Sequence, residues 1–126
     1  MKESMLTTSE WYVLDCLWER APMTVMELVA ALQDKVGWAK STTITTLTRM
    51  EAKGLIRSEV EGRGKRYYPC ADRQGAVHAE TRSFLDRVYQ GSVGLMVSAM
   101  AQEKALSQEE IDALYEILRQ AEEAQK

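Results

Sequence analysis

Between Trp38 and Arg66 the chain gathers side chains suited to one kind of chemistry. Ser41, Thr42, Thr43, Thr45, Thr46 and Thr48 crowd hydroxyls into a short stretch that also carries Arg49. Threonine is a mediocre helix former, so a helix chosen for stability alone would not be built this way. Hydroxyls donate to and accept from phosphates and base edges, and a threonine methyl packs on a thymine methyl. Trp38, Lys40 and Ser41 stand where the helix carrying these hydroxyls begins, and free amides at such a terminus favour an anion. Downstream, Arg63, Lys65 and Arg66 surround Gly62 and Gly64. Cations on a hairpin attract a polyanion with little regard to its sequence and with strong dependence on salt.

Each feature has a plainer reading taken singly. A threonine-rich face can be merely solvated, a basic hairpin is often only an exposed loop, and Trp38 is equally a core anchor or a backbone contact. What favours nucleic acid is the order of the elements that carry them.

Thr7 and Glu10 form a capping box with Leu6 and Trp11 as its staple, opening a first helix with Trp11, Leu14, Leu17 and Trp18 at helical spacing. Ala21-Pro22 ends it. Thr24 and Glu27 repeat the box and Met23 and Leu28 the staple, for a second helix striped by Val25, Leu28, Val29 and Leu32. After a turn at Lys35-Val36-Gly37, a third helix begins near Ala39 or Ser41 and stops at Gly54, a left-handed cap. Projection at 100° per residue sets Ile44, Leu47 and Met50 on its inner side and Ser41, Thr42, Thr45, Thr48, Arg49 and Ala52 on the outer. Leu55–Val60 and Lys65–Tyr68 read as two strands around a glycine-bearing loop, with Pro69 closing the second.

The remainder is helical. Val77, Thr81, Phe84, Leu85 and Val88 stripe a fourth helix, Val93, Met96, Val97 and Met100 a short fifth, and Ser107 and Glu110 cap a sixth that carries Ile111, Leu114, Tyr115, Leu118 and Ala121. Roughly fifty residues in three helices are near the lower limit for an independent core, so a second copy is the economical cover for these faces. The expected fold is mainly α with a small β-hairpin wing. It comprises a winged helix-turn-helix domain over residues 1–73 and a three-helix dimerisation domain over 74–126, in which Phe84, Leu85, Val88, Met96, Val97, Met100, Ile111, Leu114, Tyr115 and Leu118 form the contact between copies.

Of 126 residues 45% are hydrophobic, enough for a packed core. The net charge of −3 argues at first against a nucleic-acid partner, but the charges are segregated. From Trp38 to Gly75 the bases Lys40, Arg49, Lys53, Arg57, Arg63, Lys65, Arg66 and Arg73 outnumber the acids Glu51, Glu59, Glu61 and Asp72, whereas beyond Ala76 acids prevail. No apolar run can span a bilayer, and Met1-Lys2-Glu3-Ser4 lacks a secretion signal's apolar stretch, so a cytoplasmic location without membrane contact is expected. Cys16 and Cys70 form no Cys-x-x-Cys pair and read as packing thiols. His78, the sole histidine, reads as a helix-surface residue, Trp11 and Trp18 as core. Gly62-Arg63-Gly64-Lys65 fails as a phosphate loop, because the earlier glycine falls on Glu59 and the hydroxyl position on Arg66. No Ser-His-Asp or Cys-His set assembles, and neither catalysis nor a cofactor or metal is expected.

Several stretches together resemble the penicillinase repressor family: Leu6-Thr7-Thr8-Ser9-Glu10-Trp11, Leu17-Trp18, Trp38 with Thr42, Arg49, Lys53-Gly54-Leu55-Ile56, Arg66-Tyr67-Tyr68-Pro69, Phe84-Leu85-Asp86-Arg87-Val88 and Gly91-Ser92. The resemblance covers nearly the whole chain. It implies a bacterial, homodimeric transcription repressor on dyad-symmetric double-stranded operator DNA. For antibiotic-responsive members it also implies a sensor-linked protease that cuts the fifth helix at an Asn-Phe bond. Here the matching pair is Ala99-Met100. Copper-responsive relatives carry Cys-x-Cys near the C-terminus, and this tail has no cysteine, which removes that route of copper sensing. Ala39, where relatives carry a capping serine, and Ile44, where a polar residue is common, point to a different operator sequence or helix entry. Two other classes remain open at the level of sequence. One is a winged-helix module whose basic hairpin docks on an acidic protein, and the other a thiol- or metal-responsive regulator using Cys16, Cys70 or His78.

Overall fold

Both N-terminal capping boxes form in the computed structural model, which describes residues 6–126. Met1–Met5, on which the expectation about a secretion signal rests, lie outside the described residues. Helix α1 (Thr8–Arg20) opens with the Glu10 amide donating to Thr7 Oγ1 at 3.1 Å and the Thr7 amide donating to Glu10 Oε1 at 2.9 Å. Helix α2 (Val25–Val36) repeats this with Thr24 and Glu27 at 3.1 and 2.8 Å. Each box satisfies amides that a helix start leaves without partners. Gly37 ends α2 at φ +74° and Gly54 ends α3 (Lys40–Lys53) at φ +83°, a left-handed backbone that a side chain would strain. The two glycines set the turn between α2 and α3 and the exit from α3.

Leu14, Leu17, Leu28, Leu32, Leu47 and Met50 pack α1, α2 and α3 around one core, joined by Met23, Ile56 and Tyr67 from a sheet. That sheet holds one more strand than the sequence reading foresees. Besides β2 (Ile56–Glu61) and β3 (Gly64–Pro69), the two residues Met23–Thr24 form β1, giving the order β1-β3-β2 with antiparallel pairing. Met23 pairs with Tyr67 and Thr24 with Arg66, so the start of α2 is hydrogen-bonded to the base of the hairpin. A two-residue strand is too short for periodicity to reveal. Three helices, the α2-turn-α3 pair and a hairpin wing make this a winged helix-turn-helix.

Three expectations are corrected. Ile44, placed with the core by projection, is 40% exposed, and Thr43 is fully buried in its stead. At 100° per residue Thr43 lies about 10° from the bisector of Leu47 and Met50 and Ile44 about 90° from it, so geometry rather than side-chain polarity selects the buried residue. Cys70 is exposed rather than packed, while Cys16 is buried. Trp11 and Trp18 are half-buried at the core margin, edge to face at 5.6 Å, with the Trp18 indole donating to the Ala71 carbonyl at 2.9 Å. An indole that needs an acceptor is better served at a margin than inside.

The chain divides into two compact units, one ending at Thr81 and the other Arg82–Lys126. The division falls within α4 (Arg73–Tyr89), which is followed by α5 (Val93–Gln102) and α6 (Gln108–Ala124). No residue of α4, α5 or α6 is fully buried.

The Thr43 hydroxyl has no hydrogen-bond partner among the described residues. Removing an unsatisfied buried hydroxyl without changing side-chain shape stabilises a fold by about 1 kcal/mol. Thr43→Val is therefore expected to raise the urea midpoint followed by tryptophan fluorescence, since Trp11, Trp18 and Trp38 all report on the N-terminal unit. A lowered midpoint would show that the hydroxyl is bonded.

Candidate nucleic-acid interface

Helix α3 is held from both flanks. On one side Lys53 forms an ion pair with Glu10 of the α1 capping box. On the other the Ser58 hydroxyl of β2 donates to Glu51 at 2.7 Å. Burial opposes ionisation of Glu10, but the Lys53 ammonium and the Thr7 amide overcome it and hold the carboxyl below its ordinary value of 4.5. With Thr43, Leu47 and Met50 locked inward, the opposite face has one orientation.

That face is exposed along its length at Lys40, Ser41, Thr42, Thr45, Thr48 and Arg49. Among the described residues no side-chain hydrogen bond or ion pair engages Lys40, Ser41, Thr45 or Arg49, nor the Thr42 hydroxyl. Two further threonines differ. Thr46 Oγ1 donates to the Thr42 carbonyl at 2.8 Å and Thr48 Oγ1 to the Ile44 carbonyl at 3.1 Å, so these hydroxyls are spent on the helix itself. Ala39 occupies the N-cap with no side-chain bond to the first turn, in contrast to α1 and α2. Trp38 is half-buried against the core, edge to face with Tyr12 at 6.0 Å, and so fixes the entry to α3. Arg49 and Lys53 also border a cleft of about 370 Å³ with Thr7, Ser9, Glu10, Thr46 and Met50.

On the wing the bases are not equivalent. Gly62 turns the tip at φ +62°, leaving Arg63 and Lys65 exposed and, among the described residues, without an acid partner. Arg66 instead pairs with Glu61 at 3.0 Å and is half-buried. Strand alternation sets Arg57, Glu59, Arg66, Tyr68 and Glu61 on one face, where Arg57 pairs with Glu59 and lies 4.3 Å over the Tyr68 ring. Lost solvation, then its hydrogen bond to Glu61, push the Tyr68 phenol above 10.0. The hairpin cations without an acid partner are thus Arg63 at the tip and Lys65 on the opposite face, where its ammonium lies 5.6 Å from the centre of the Tyr67 ring.

Elsewhere, burial pushes the Cys16 thiol above 9.0, away from a reactive thiolate, and His78 lies exposed on α4. No three His, Cys, Asp or Glu side chains converge among the described residues as metal ligands, and no described helix is long and apolar enough to cross a membrane. The sequence-expected contact residues of the C-terminal helices remain open to solvent in the single chain. Phe84, Val88, Met100, Tyr115 and Leu118 are exposed, and Leu85, Met96, Val97, Ile111 and Leu114 half-buried.

A helix-turn-helix with an outward hydroxyl-rich third helix and a cationic wing defines the class of winged helix-turn-helix regulators. The chain belongs to the penicillinase repressor family, whose model matches residues 6–120. The penicillinase repressor of Bacillus licheniformis is 30% identical over 119 residues, covering 94% of this chain and 93% of that one. The methicillin resistance regulatory protein MecI of Staphylococcus aureus strain N315 is 25% identical over 113 residues, covering 90% and 92%. Among solved structures, the DNA-binding domain of the repressor BlaI matches with a TM-score of 0.51 at 27% identity, over 58% of this chain and 90% of that domain. A point mutant of MepR from S. aureus shares the fold, with a TM-score of 0.54 at 23% identity over 96% of this chain and 80% of its own.

A carboxyl held low in the folded state stabilises that state above its unfolded pKa, and the contribution is lost as pH falls through the folded one. Glu10→Gln keeps the capping box and removes the ion pair with Lys53. It is expected to destabilise the N-terminal unit near neutral pH, and the deficit to vanish well below 4.5 in urea titrations read by tryptophan fluorescence. A deficit independent of pH would assign it to packing instead.

Proposed function

We propose that the chain is a homodimeric transcription repressor that binds dyad-symmetric operator DNA through residues 1–73 and pairs with a second copy through residues 74–126. The observation that carries this is the outer face of α3, whose Ser41, Thr42 and Thr45 hydroxyls and Arg49 are free while its inner face is locked. The relatives support it: a penicillinase repressor and a methicillin resistance regulator match nearly end to end, and the solved BlaI domain is a DNA-binding one.

In this reading α3 enters the major groove and α2 braces it from behind. Ser41, Thr42, Thr45 and Arg49 meet base edges, Arg49 with the reach for a bidentate contact. Lys40 and the uncapped first turn of α3 take a backbone phosphate, with Trp38 fixing the angle of approach. Arg63 and Lys65 lie over the flanking backbone, and Arg66 contributes less because Glu61 already occupies it. Occupancy of an operator then excludes other proteins from the same duplex. The acidic C-terminal helices are repelled by phosphate and serve the contact between copies, where Phe84, Val88, Tyr115 and Leu118 find cover. Within α5 the pair Ala99-Met100 stands where the resemblance implies an Asn-Phe bond, which speaks against release by a sensor protease at that site.

Two measurements test the reading. Lys65→Ala or Arg63→Ala is expected to weaken binding to all duplexes and to lower the slope of log affinity against log salt by about 0.9 per lost phosphate contact. Arg66→Ala should change the slope less, and an unchanged slope for all three would remove the wing from the interface. Leu118→Glu is expected to yield a monomer by sedimentation equilibrium and to lose operator preference, since one half-site remains. A variant that still sediments as a dimer would place the contact elsewhere.

A further inference from the structure

The outer side of α3 is less polar than its composition implies. Ile44 is 40% exposed on a helix whose other outward residues, Ala52 apart, are hydroxylic or basic. Thr48, one turn on, turns its hydroxyl back to the Ile44 carbonyl at 3.1 Å, which leaves the Cγ2 methyl as the group that side chain has to offer. Residues four apart stand side by side on a helix, so the two form a short strip of methyls. Beside it, Ser41 and Thr45 keep their hydroxyls free. An apolar protein surface would not suit this neighbourhood, because burying Lys40, Ser41 and Thr45 along with Ile44 would strand their polar groups.

We propose that Ile44, with Thr48 beside it, is a specificity-determining contact that reads thymine C5-methyl groups in the major groove. The proposal rests on the DNA-binding reading above and adds which base is chosen. Thymine alone among the four bases presents a methyl there. Isoleucine offers no donor or acceptor, so against any other base edge it leaves a polar group without a partner. Being β-branched, it is held near one χ1 rotamer on a helix, and little freedom is lost on contact.

For the test, duplexes that bind the full chain are selected from a random pool, and the tightest is prepared in two forms, with thymine and with uracil throughout. Uracil keeps every hydrogen-bonding group and lacks only the methyl. Fluorescence anisotropy at one salt concentration compares the wild-type chain with Ile44→Ala and Ile44→Val, each confirmed folded by circular dichroism. The wild type is expected to prefer the thymine duplex about fourfold for each methyl contacted. Ile44→Val should keep most of that preference, and Ile44→Ala should lose most of it, keeping at most the share that the Thr48 methyl supplies, with its affinity for the uracil duplex near the wild-type level. A wild type indifferent to the methyls, or an Ile44→Ala chain that keeps the full preference, overturns the proposal and leaves DNA binding standing. Failure to enrich any duplex over random DNA overturns both.

Discussion

A helix can present a fixed set of side chains to a partner only if it cannot roll about its own axis. In α3 that constraint is met by three inward residues, Thr43, Leu47 and Met50, and by one polar clamp on each flank. Lys53 reaches Glu10 on the α1 side, and Glu51 takes the Ser58 hydroxyl on the β2 side. Glu10 serves two purposes, since the same carboxylate caps α1 and anchors the far end of α3. The left-handed glycines at positions 37 and 54 then fix where α3 is entered and left. Remove the clamps and the hydroxyls of Ser41, Thr42 and Thr45 no longer have a defined direction, whatever their chemistry.

Charge is distributed to the same end. The acids of the hairpin, Glu59 and Glu61, neutralise Arg57 and Arg66 on one face of the sheet, which leaves Arg63 and Lys65 as the hairpin's cations without an acid partner. Cations held at a tip act over a narrow strip of backbone rather than as a diffuse field, so they orient as well as attract. In the proposed reading the acidic excess beyond Ala76 works in the opposite sense and repels phosphate. A net charge of −3 is thus compatible with the proposed partner because the excess of acids lies beyond Thr81, while the unit ending there is neutral overall and gathers its basic excess between Trp38 and Gly75.

Much of this is legible in the sequence. Capping boxes at Thr7–Glu10, Thr24–Glu27 and Ser107–Glu110 are local devices, fixed by neighbours three residues away, and all three form. The left-handed cap at Gly54 and the turn at Gly37 are local in the same sense. What stays hidden depends on contacts distant in the chain. Strand β1 exists because Tyr67 and Arg66 lie alongside Met23 and Thr24, and two residues carry no periodicity of their own. The Glu10–Lys53 pair joins positions 43 apart. Ile44 misleads for a different reason: its hydrophobicity suggests burial, whereas Leu47 and Met50 already define the buried face and point to Thr43. The unequal value of the wing bases is equally invisible, because Arg63, Lys65 and Arg66 look alike until the register sets Glu61 beside Arg66.

The central claim is that two symmetry-related copies set their third helices into successive major grooves on one side of a duplex. Hydroxyl-radical footprinting of a selected duplex tests it most directly. Two equal protected patches about ten base pairs apart on one face, related by a dyad, are the predicted result. A single protected patch, or protection spread evenly around the duplex, would contradict it.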